Sequence, residues 1–470
     1  MTQADLAAQE AHLRLLKAEL LRSDGNEHAA YVIFGVSRIA ADPFHGGARL
    51  RLLIKDVLPV EPDEITSSDD RHISWKTERF VRLLAEAERA GHHVGIAHSH
   101  PLGPAHFSDQ DDRNEAELAR LAQNRNGDGA LVVSLLFSGG GEILGRVWTT
   151  SQEYIALDVI RSVSSNWIFH RRGHDSDFQD PAMDRQGLAL GPAFNSTMKS
   201  LRIGVVGAGG TGSPLLQQLG RMGVGHLAIF DPDKVEHSNL NRLYGATCDD
   251  ANSGVKKVDV AKREIERMGL GTHVVAIDSW IGAPECRDVL KSMDLIFGCT
   301  DDHDGRVLLN RLAYYYLIPV IDLGLALRVA ERHGDRVLEG DGRVTVLEPG
   351  ASCLICRRIV NPVIAAEEAL RRNDPAEFDR RKAEAYVRGE GNPAPAVVSF
   401  TTSVATMAIE EMIQRLQQFR GASAAIANRV RKFGQVEDFR PGAARQPCRV
   451  CGSPKIFGAG DVSPFLGRAG

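Results

Sequence analysis

His98-Ser99-His100-Pro101 is followed by Ser108 and Asp111. On an extended chain residues two apart share a face, so His98 and His100 can aim two imidazoles at one point. Ser108 and Asp111 stand three apart where a helix over 109–124 would begin, which lets Asp111 turn inward as a third ligand. Two histidines and a carboxylate make a zinc set with a fourth position open, and water at such a site has a pKa of about 7. Ser108 would then stabilise an oxyanion, with an upstream glutamate as general base. Ser-x-x-Asp alone is also a plain capping box, so the joint spacing of His, His, Ser and Asp carries the metal reading.

A second constellation begins at Gly207-Ala208-Gly209-Gly210-Thr211-Gly212, after the apolar run Ile203–Val206. Glycines there permit a tight turn and bring backbone N–H groups close to phosphate at a helix N-terminus. Asp231 lies 19 residues beyond Gly212, where a ribose-binding acid belongs. That much fits a dehydrogenase equally well. Asp233, Asn241, Arg242 and Lys257 then put polar and cationic groups just past the next strand, and Asp301 follows Cys299 at the end of another. Cations suit a triphosphate rather than a nicotinamide, and Asp301 suits Mg²⁺, which is held by one or two carboxylates plus phosphates. The chemistry predicted is attack of a carboxylate on the α-phosphate of ATP, giving an acyl-adenylate and pyrophosphate. Asn239 has a plainer reading as a helix cap, and Asp302 as a solvated loop charge.

Four of the seven cysteines fall in two Cys-x-x-Cys pairs, Cys353/Cys356 and Cys448/Cys451. Four thiolates form a closed tetrahedral zinc site with no position for water, hence structural. It would clamp the C-terminal segment onto its domain.

The elements that must position these groups follow from pattern. Residues 1–22 read as an amphipathic helix on Leu6, Leu13, Leu16 and Leu20. Strands are expected over 31–35, 50–58, 93–98, 130–137 and 143–148, with a helix over 76–91, and this α+β block closes near residue 150. A polar linker, 151–182, includes His170-Arg-Arg-Gly-His-Asp-Ser-Asp. From 201 the pattern alternates strand and helix, with strands at 201–206, 227–230, 274–277, 295–297 and 320–323, which implies a parallel sheet. Residues 361–395 read as an insertion or mobile crossover, and 399–419 as a strong helix whose Ser399 and Thr401 suit caps.

The chain of 470 residues has room for two or three domains. Its composition, 43% hydrophobic and 25% charged, is that of an ordinary globular protein. A net charge of −5 argues against a general nucleic-acid binder. No apolar run approaches the ~18 residues of a membrane span, and no signal peptide is visible, so a cytoplasmic protein is expected.

Residues 98–111 resemble the JAMM/MPN family of zinc isopeptidases, with their H-x-H-x(7)-S-x-x-D pattern. The resemblance implies an N-terminal JAMM/MPN domain over 1–150 that cleaves or trims ubiquitin-like proteins. It also implies a catalytic glutamate, best matched by Glu27, which stands eight residues before Gly35 where seven is common. Residues from about 183 to 455 resemble the ubiquitin-activating superfamily, including the bacterial adenylyltransferases of thiamin and molybdopterin biosynthesis. That implies a Rossmann-like, doubly wound α/β adenylation domain over 183–470 with a four-Cys zinc site. In it Gly207, Gly209, Gly210 and Gly212 form the phosphate loop and Asp231 holds the ribose. Asn241, Arg242 and Lys257 handle the phosphates, with Asp233 beside them, and Asp301 binds Mg²⁺. Met183-Asp-Arg185-Gln186 resembles the segment whose arginine reaches ATP in the partner subunit, so Arg185 implies a homodimer.

Relatives that form a thioester carry a crossover cysteine, and residues 357–447 contain none. Cys248 and Cys286 have no acidifying context, and Cys299 reads as a buried strand residue. The leading expectation is a bifunctional enzyme of a bacterial ubiquitin-like pathway using ATP, Mg²⁺ and two zinc ions, one catalytic and one structural. Its partner is a ubiquitin-like or sulfur-carrier protein ending in Gly-Gly, with a conjugating-type enzyme as a further partner and no nucleic acid or membrane. The alternatives are activation and maturation of a sulfur carrier for cofactor or amino-acid biosynthesis, a scaffold that binds ubiquitin-like proteins without turnover, and a dehydrogenase.

Overall fold

The computed structural model describes residues 2–462, except 104, 174–179, 333–334, 384–394, 435–437 and 444–446. The chain divides into two units, one of 1–175 with 315–317 and 454–470, the other of 176–314 with 318–453.

In the first unit the chain runs β1 (Gln3–Gln9), α1 (Glu10–Leu20), β2 (Ala29–Ile39), β3 (Arg49–Pro59), β4 (Ile65–Ser68), β5 (Ile73–Trp75), α2 (Glu78–Arg89) and β6 (His93–His100). It continues through α3 (Asp109–Asn126), β7 (Val132–Ser138), β8 (Ile143–Trp148), β9 (Tyr154–Val163) and β10 (Ile168–Arg171). The sheet order is β1-β3-β2-β6-β7-β8-β9-β10, and β1 also pairs with β9. Seven strands therefore close on themselves, which removes exposed edges, and β10 adds to β9. One side of the sheet buries Leu13, Leu16 and Leu20 of α1 with Leu52, Phe34 and Leu135. The other buries Phe80, Leu83 and Leu84 of α2 and Ala119 and Ala122 of α3 against Tyr31, Ile96 and Trp148.

Two expectations are corrected here. Residues 1–22 are not one helix. Gln3–Gln9 is a strand paired in parallel with both β3 and β9, and the helix begins only at Glu10. Nor does the block close near 150, because β9 supplies the strand that closes the ring. The segment 454–462, expected with the C-terminal domain, packs with the first unit. Gly460 bridges Val36, Asp461 N donates to Val36 O at 2.8 Å, and Lys55 Nζ donates to the Lys455 and Phe457 carbonyls. This segment takes the place beside β2 that β6, starting at His93, leaves open.

The second unit runs α4 (Asp184–Leu190), α5 (Pro192–Ser200), β11 (Arg202–Val206), α6 (Gly212–Arg221), β12 (His226–Phe230), α7 (Cys248–Ser253), α8 (Lys257–Glu266), β13 (His273–Ile277) and α9 (Cys286–Lys291). Then come β14 (Leu295–Gly298), α10 (His303–Tyr315), β15 (Val320–Arg332), β16 (Asp335–Leu347), α11 (Pro362–Asn373), α12 (Pro375–Ala383), α13 (Val398–Gln417), β17 (Asn428–Lys432) and β18 (Asp438–Phe439). The sheet order is β13-β12-β11-β14-β15-β16-β17-β18. The first five strands are parallel and the last three antiparallel. The strand order reverses at β11, between β12 and β14, which opens a crevice at their carboxyl ends. The stretch expected as a crossover is helical over α11 and α12, and its part at 384–394 lies outside the described residues, as do 174–179 of the polar linker.

Candidate functional sites

β6 carries His98 and His100 on one face, and its pairing with β2 sets Ala29 opposite His98. Backbone bonds lock the junction: Ser99 N donates to His28 O at 3.1 Å and His28 N to Ser99 Oγ at 3.0 Å. Glu27 is held just before β2, its N–H donating to Asp69 O at 2.7 Å and its carbonyl accepting from Ser68 Oγ. Ser108 caps α3. Its Oγ accepts from Asp111 N at 3.2 Å and donates to Asp111 Oδ2 at 2.7 Å. The capping box and the inward carboxylate are thus one arrangement, because the cap sets the direction of the Asp111 side chain.

Asp111 Oδ1 stands 3.2 Å from His98 Nε2, and Oδ2 3.5 Å from His100 Nε2. Glu27 Oε1 is 3.6 Å from His100 Nε2 and its side chain is buried, which raises its pKa. Burial works against the charge of Asp111, but the His100 and His98 imidazoles beside it, with the Ser108 backbone N–H, hold its pKa below the ordinary carboxylate range. Both ring nitrogens of His98, a residue only 3% exposed, are buried without a hydrogen-bond partner. Buried polar atoms are rarely left so. A tetrahedral zinc with nitrogen and oxygen ligands spaces its donors by about 3.4 Å, which matches the distances here. The residues fit the metal. Ser108 spends its proton on Asp111, so its immediate work is to orient that ligand.

In the second unit a cleft of about 1180 Å³ opens over the β11–α6 turn. Gly207, Gly209 and Gly210 line it, while Gly212 is buried beneath, where a Cβ would meet Gly207 O at 1.9 Å. Gly207 has a φ of +94° and its Cβ position faces the Cys299 carbonyl, so glycine is required there. Asp231 is buried, which raises its pKa. Its Oδ2 accepts from Ala208 N at 2.7 Å and its Oδ1 from Asp233 N at 2.9 Å. Lys257 and Arg242 line the cleft; Lys257 Nζ pairs with Asp233 at 2.7 Å and Arg242 Nη1 donates to Ser238 O at 2.5 Å. Asp301 is exposed at the cleft wall and its carboxylate has no partner among the described residues. Asp302, whose plainer reading is a solvated charge, is instead occupied: it accepts from Gly305 N, Trp280 Nε1 and Thr300 Oγ1. Asp301, and Asp341 on the same lining, are thereby the cleft carboxylates open to a cation.

Two expected residues stand outside the cleft lining. Asn241 is exposed and accepts from Arg242 Nη1 at 3.1 Å, while Asn239 lines the cleft in its place. Arg185 lies exposed on α4 near Leu188, which is 89% exposed. Sequence reasoning missed Arg306, Arg343 and Arg372, all of which line the cleft. Arg306 and Arg343 share buried Asp322, at 3.1 and 2.6 Å. Arg372 reaches from α11 to lie 3.6 Å over the Trp280 ring and pairs with Asp302 and Asp304. No motif spacing links these three.

The four thiolates converge as well: Cys353 Sγ to Cys448 Sγ is 3.8 Å and Cys356 Sγ to Cys451 Sγ is 3.6 Å. A ZnS₄ tetrahedron with bonds of about 2.3 Å has edges of about 3.8 Å. These four cysteines and His98, His100 and Asp111 are the two clusters among the described residues with metal-ligand spacing. Two of the other thiols are held protonated: burial pushes the Cys286 pKa up to about 12 and also raises that of Cys299, which lines the cleft rather than the core.

Residues 183–450 match the ThiF family, and residues 9–151 match the prokaryotic homologues of the JAB domain. The SAMP-activating enzyme E1 of Haloferax volcanii is 30% identical over 167 residues, 36% of this chain and 57% of that protein. The adenylyltransferase and sulfurtransferase MOCS3 of Drosophila willistoni is 26% identical over 275 residues, 57% of this chain and 52% of that one. The chain thus spans about half the length of these curated relatives. Among solved structures, E. coli MccB with ATP aligns at a TM-score of 0.43 and 19% identity, over 59% of this chain and 76% of that one. No described helix is long and apolar enough to cross a membrane.

Proposed function

This chain belongs to the ThiF family and carries a JAB-type domain ahead of the matched region, and on that premise we propose a two-site enzyme acting on one protein tail. The second unit adenylates the C-terminal glycine of a ubiquitin-like or sulfur-carrier protein. The first unit, as a zinc peptidase, trims or deconjugates that protein. The observation that carries the reading is the coexistence of a His-His-Asp triad, its carboxylate oxygens 3.2 and 3.5 Å from the two imidazoles, with a cation-lined glycine-loop cleft onto which the exposed carboxylate of Asp301 opens.

In the cleft Asp231 accepts from the ribose and the glycine-loop N–H groups hold phosphate oxygens. Arg242 and Lys257 meet the triphosphate, and Asp301 is the carboxylate for Mg²⁺, whose charge offsets that of the phosphates. The tail carboxylate attacks the α-phosphate, an acyl-adenylate forms and pyrophosphate leaves. Arg185 completes the site from a second copy, in a homodimer. The lack of a cysteine in residues 357–447 supports release of the adenylate to an outside nucleophile.

In the first unit His98, His100 and Asp111 hold zinc, which when bound polarises a carbonyl and acidifies water. Glu27 accepts a proton from the attacking water and returns it to the leaving amine. Its burial raises the carboxyl group's proton affinity, the direction that such a shuttle needs. Ser108 orients Asp111 in the free site, and to stabilise the oxyanion its hydroxyl would turn from Asp111 to the substrate. The four-thiolate zinc is structural. The protein works in the cytoplasm.

The sulfur-carrier reading has its own support. The names of MOCS3 and its relatives join adenylyl and sulfur transfer, and no cysteine lies in residues 357–447. Pyrophosphate exchange with ATP, dependent on a β-grasp protein ending in Gly-Gly, tests adenylation. Trapping the product with sulfide or with a lysine amine separates the two acceptors. No exchange with any cognate tail would end the proposal.

A further inference from the structure

Arg146 on β8 is only 2% exposed and touches no ligand of the triad, yet its contacts converge on the triad from behind. Its Nε donates to Glu115 Oε2 at 2.7 Å, and its Nη1 donates to Asp112. Asp112 and Glu115 lie one turn apart on α3, so a planar fork grips that helix at two points on one stripe. Glu115 is anchored in turn by Ser134 Oγ at 2.5 Å and Trp148 Nε1 at 2.8 Å, which ties the fork to β7 and β8. The guanidinium carbon lies 3.9 Å from the Phe107 ring centroid, and Phe107 stands 6.1 Å from the His98 ring. One side chain therefore sets the rotation of the helix turn that carries Asp111 and the ring that walls His98.

We propose that Arg146 is the positioning residue of the metal triad: through Asp112 and Phe107 it holds Asp111 and His98 at zinc-ligand spacing. This rests on the reading of His98, His100 and Asp111 as zinc ligands. A purely structural arginine would serve only to balance buried Glu115. Asp112 separates the two roles, because its side chain is 49% exposed and its loss strands no buried charge.

The test uses the full chain, stripped and titrated with zinc against a competing chelator, following both zinc content and the zinc concentration that half-restores peptidase activity. Asp112→Asn and Arg146→Lys are expected to raise the half-saturating zinc concentration about 10-fold and Arg146→Met about 100-fold, with activity recovered in Asp112→Asn at saturating zinc. The zinc held by the thiolates is expected to stay as in the parent protein. If Arg146→Met fails to fold, Asp112→Asn decides. Parent-like zinc affinity in Asp112→Asn and Arg146→Lys overturns the proposal. His98→Ala is the control: if it too retains the parent's full zinc content, the zinc reading itself fails, independently of Arg146.

Discussion

In the first unit the donors of His98, His100 and Asp111 already face one centre, and the ring nitrogens of His98 bond to nothing. In the second, Lys257, Arg306, Arg343 and Arg372 each hold a carboxylate of their own chain while lining an open cleft. On the proposed function the contrast follows from what each site would receive. A small cation is selected by fixed ligand spacing, so rigid strands and a helix cap set that spacing in advance. A large polyanion is met by many side chains, and a pair with an exposed carboxylate, as Lys257 makes with Asp233, is weak enough to exchange for phosphate, while Arg306 and Arg343 stay tied to buried Asp322. The first site is therefore fragile to small displacements and the second to loss of the backbone loop beneath it.

The widest break in the comparison comes from paired knockouts. His98→Ala is expected to cut peptide cleavage at least about 10³-fold and leave pyrophosphate exchange intact, while Asp301→Ala does the reverse. Assaying both activities in both variants checks this; loss of both in either one would mean that the sites are not independent. Next is Gly212→Ala, whose Cβ would press on the Gly207 carbonyl at 1.9 Å. Such overpacking costs about 1–3 kcal/mol, and the shift of the phosphate loop should lower ATP affinity at least about 10-fold by calorimetry. An affinity equal to the parent's would remove the loop from the nucleotide site. Lys257→Met should be milder, raising the ATP KM about 10-fold and flattening its salt dependence, because one cation is lost among several. A kcat effect without a KM effect would point to a role in the transition state alone.

The smallest effect expected is on stability. His93 Nδ1 accepts from Leu131 N at 3.2 Å, a bond open only to the neutral ring. Burial lowers the His93 pKa to about 4 from 6.5. Between those values the unfolded chain binds the proton and the folded one does not, so stability falls as pH drops from about 6.5 towards 4. Allowing for partial exposure, the loss is about 1–2 kcal/mol. Urea midpoints of the first unit at pH 7 and 4.5 should show it, and His93→Gln should reduce the difference. An unchanged pH slope in that variant would assign the effect to other groups.

Much of this was legible where chemistry imposes local spacing. His98 to Asp111 and Gly207 to Gly212 each lie within one strand-to-helix turn, so a short string of residues encodes the geometry. The first strand was not legible. Leu6 fell into a three- to four-residue register with Leu13, Leu16 and Leu20, and its neighbours are alanines with little strand preference. Its inward polar residue, Asp5, hides the alternation because it is buried against Arg49 and Arg51 at 2.8 Å. Arg306, Arg343 and Arg372 escaped for another reason: they come from α10, β16 and α11, and only the fold gathers them.

The bridge from Gly460 and Asp461 to β2 has a consequence for biosynthesis. Arg38 on that strand and Asp461 stand 423 residues apart, so the strand is made long before its partner. On a ribosome the first unit must therefore wait, with that stretch of its backbone unmatched, until the chain through Asp461 has emerged.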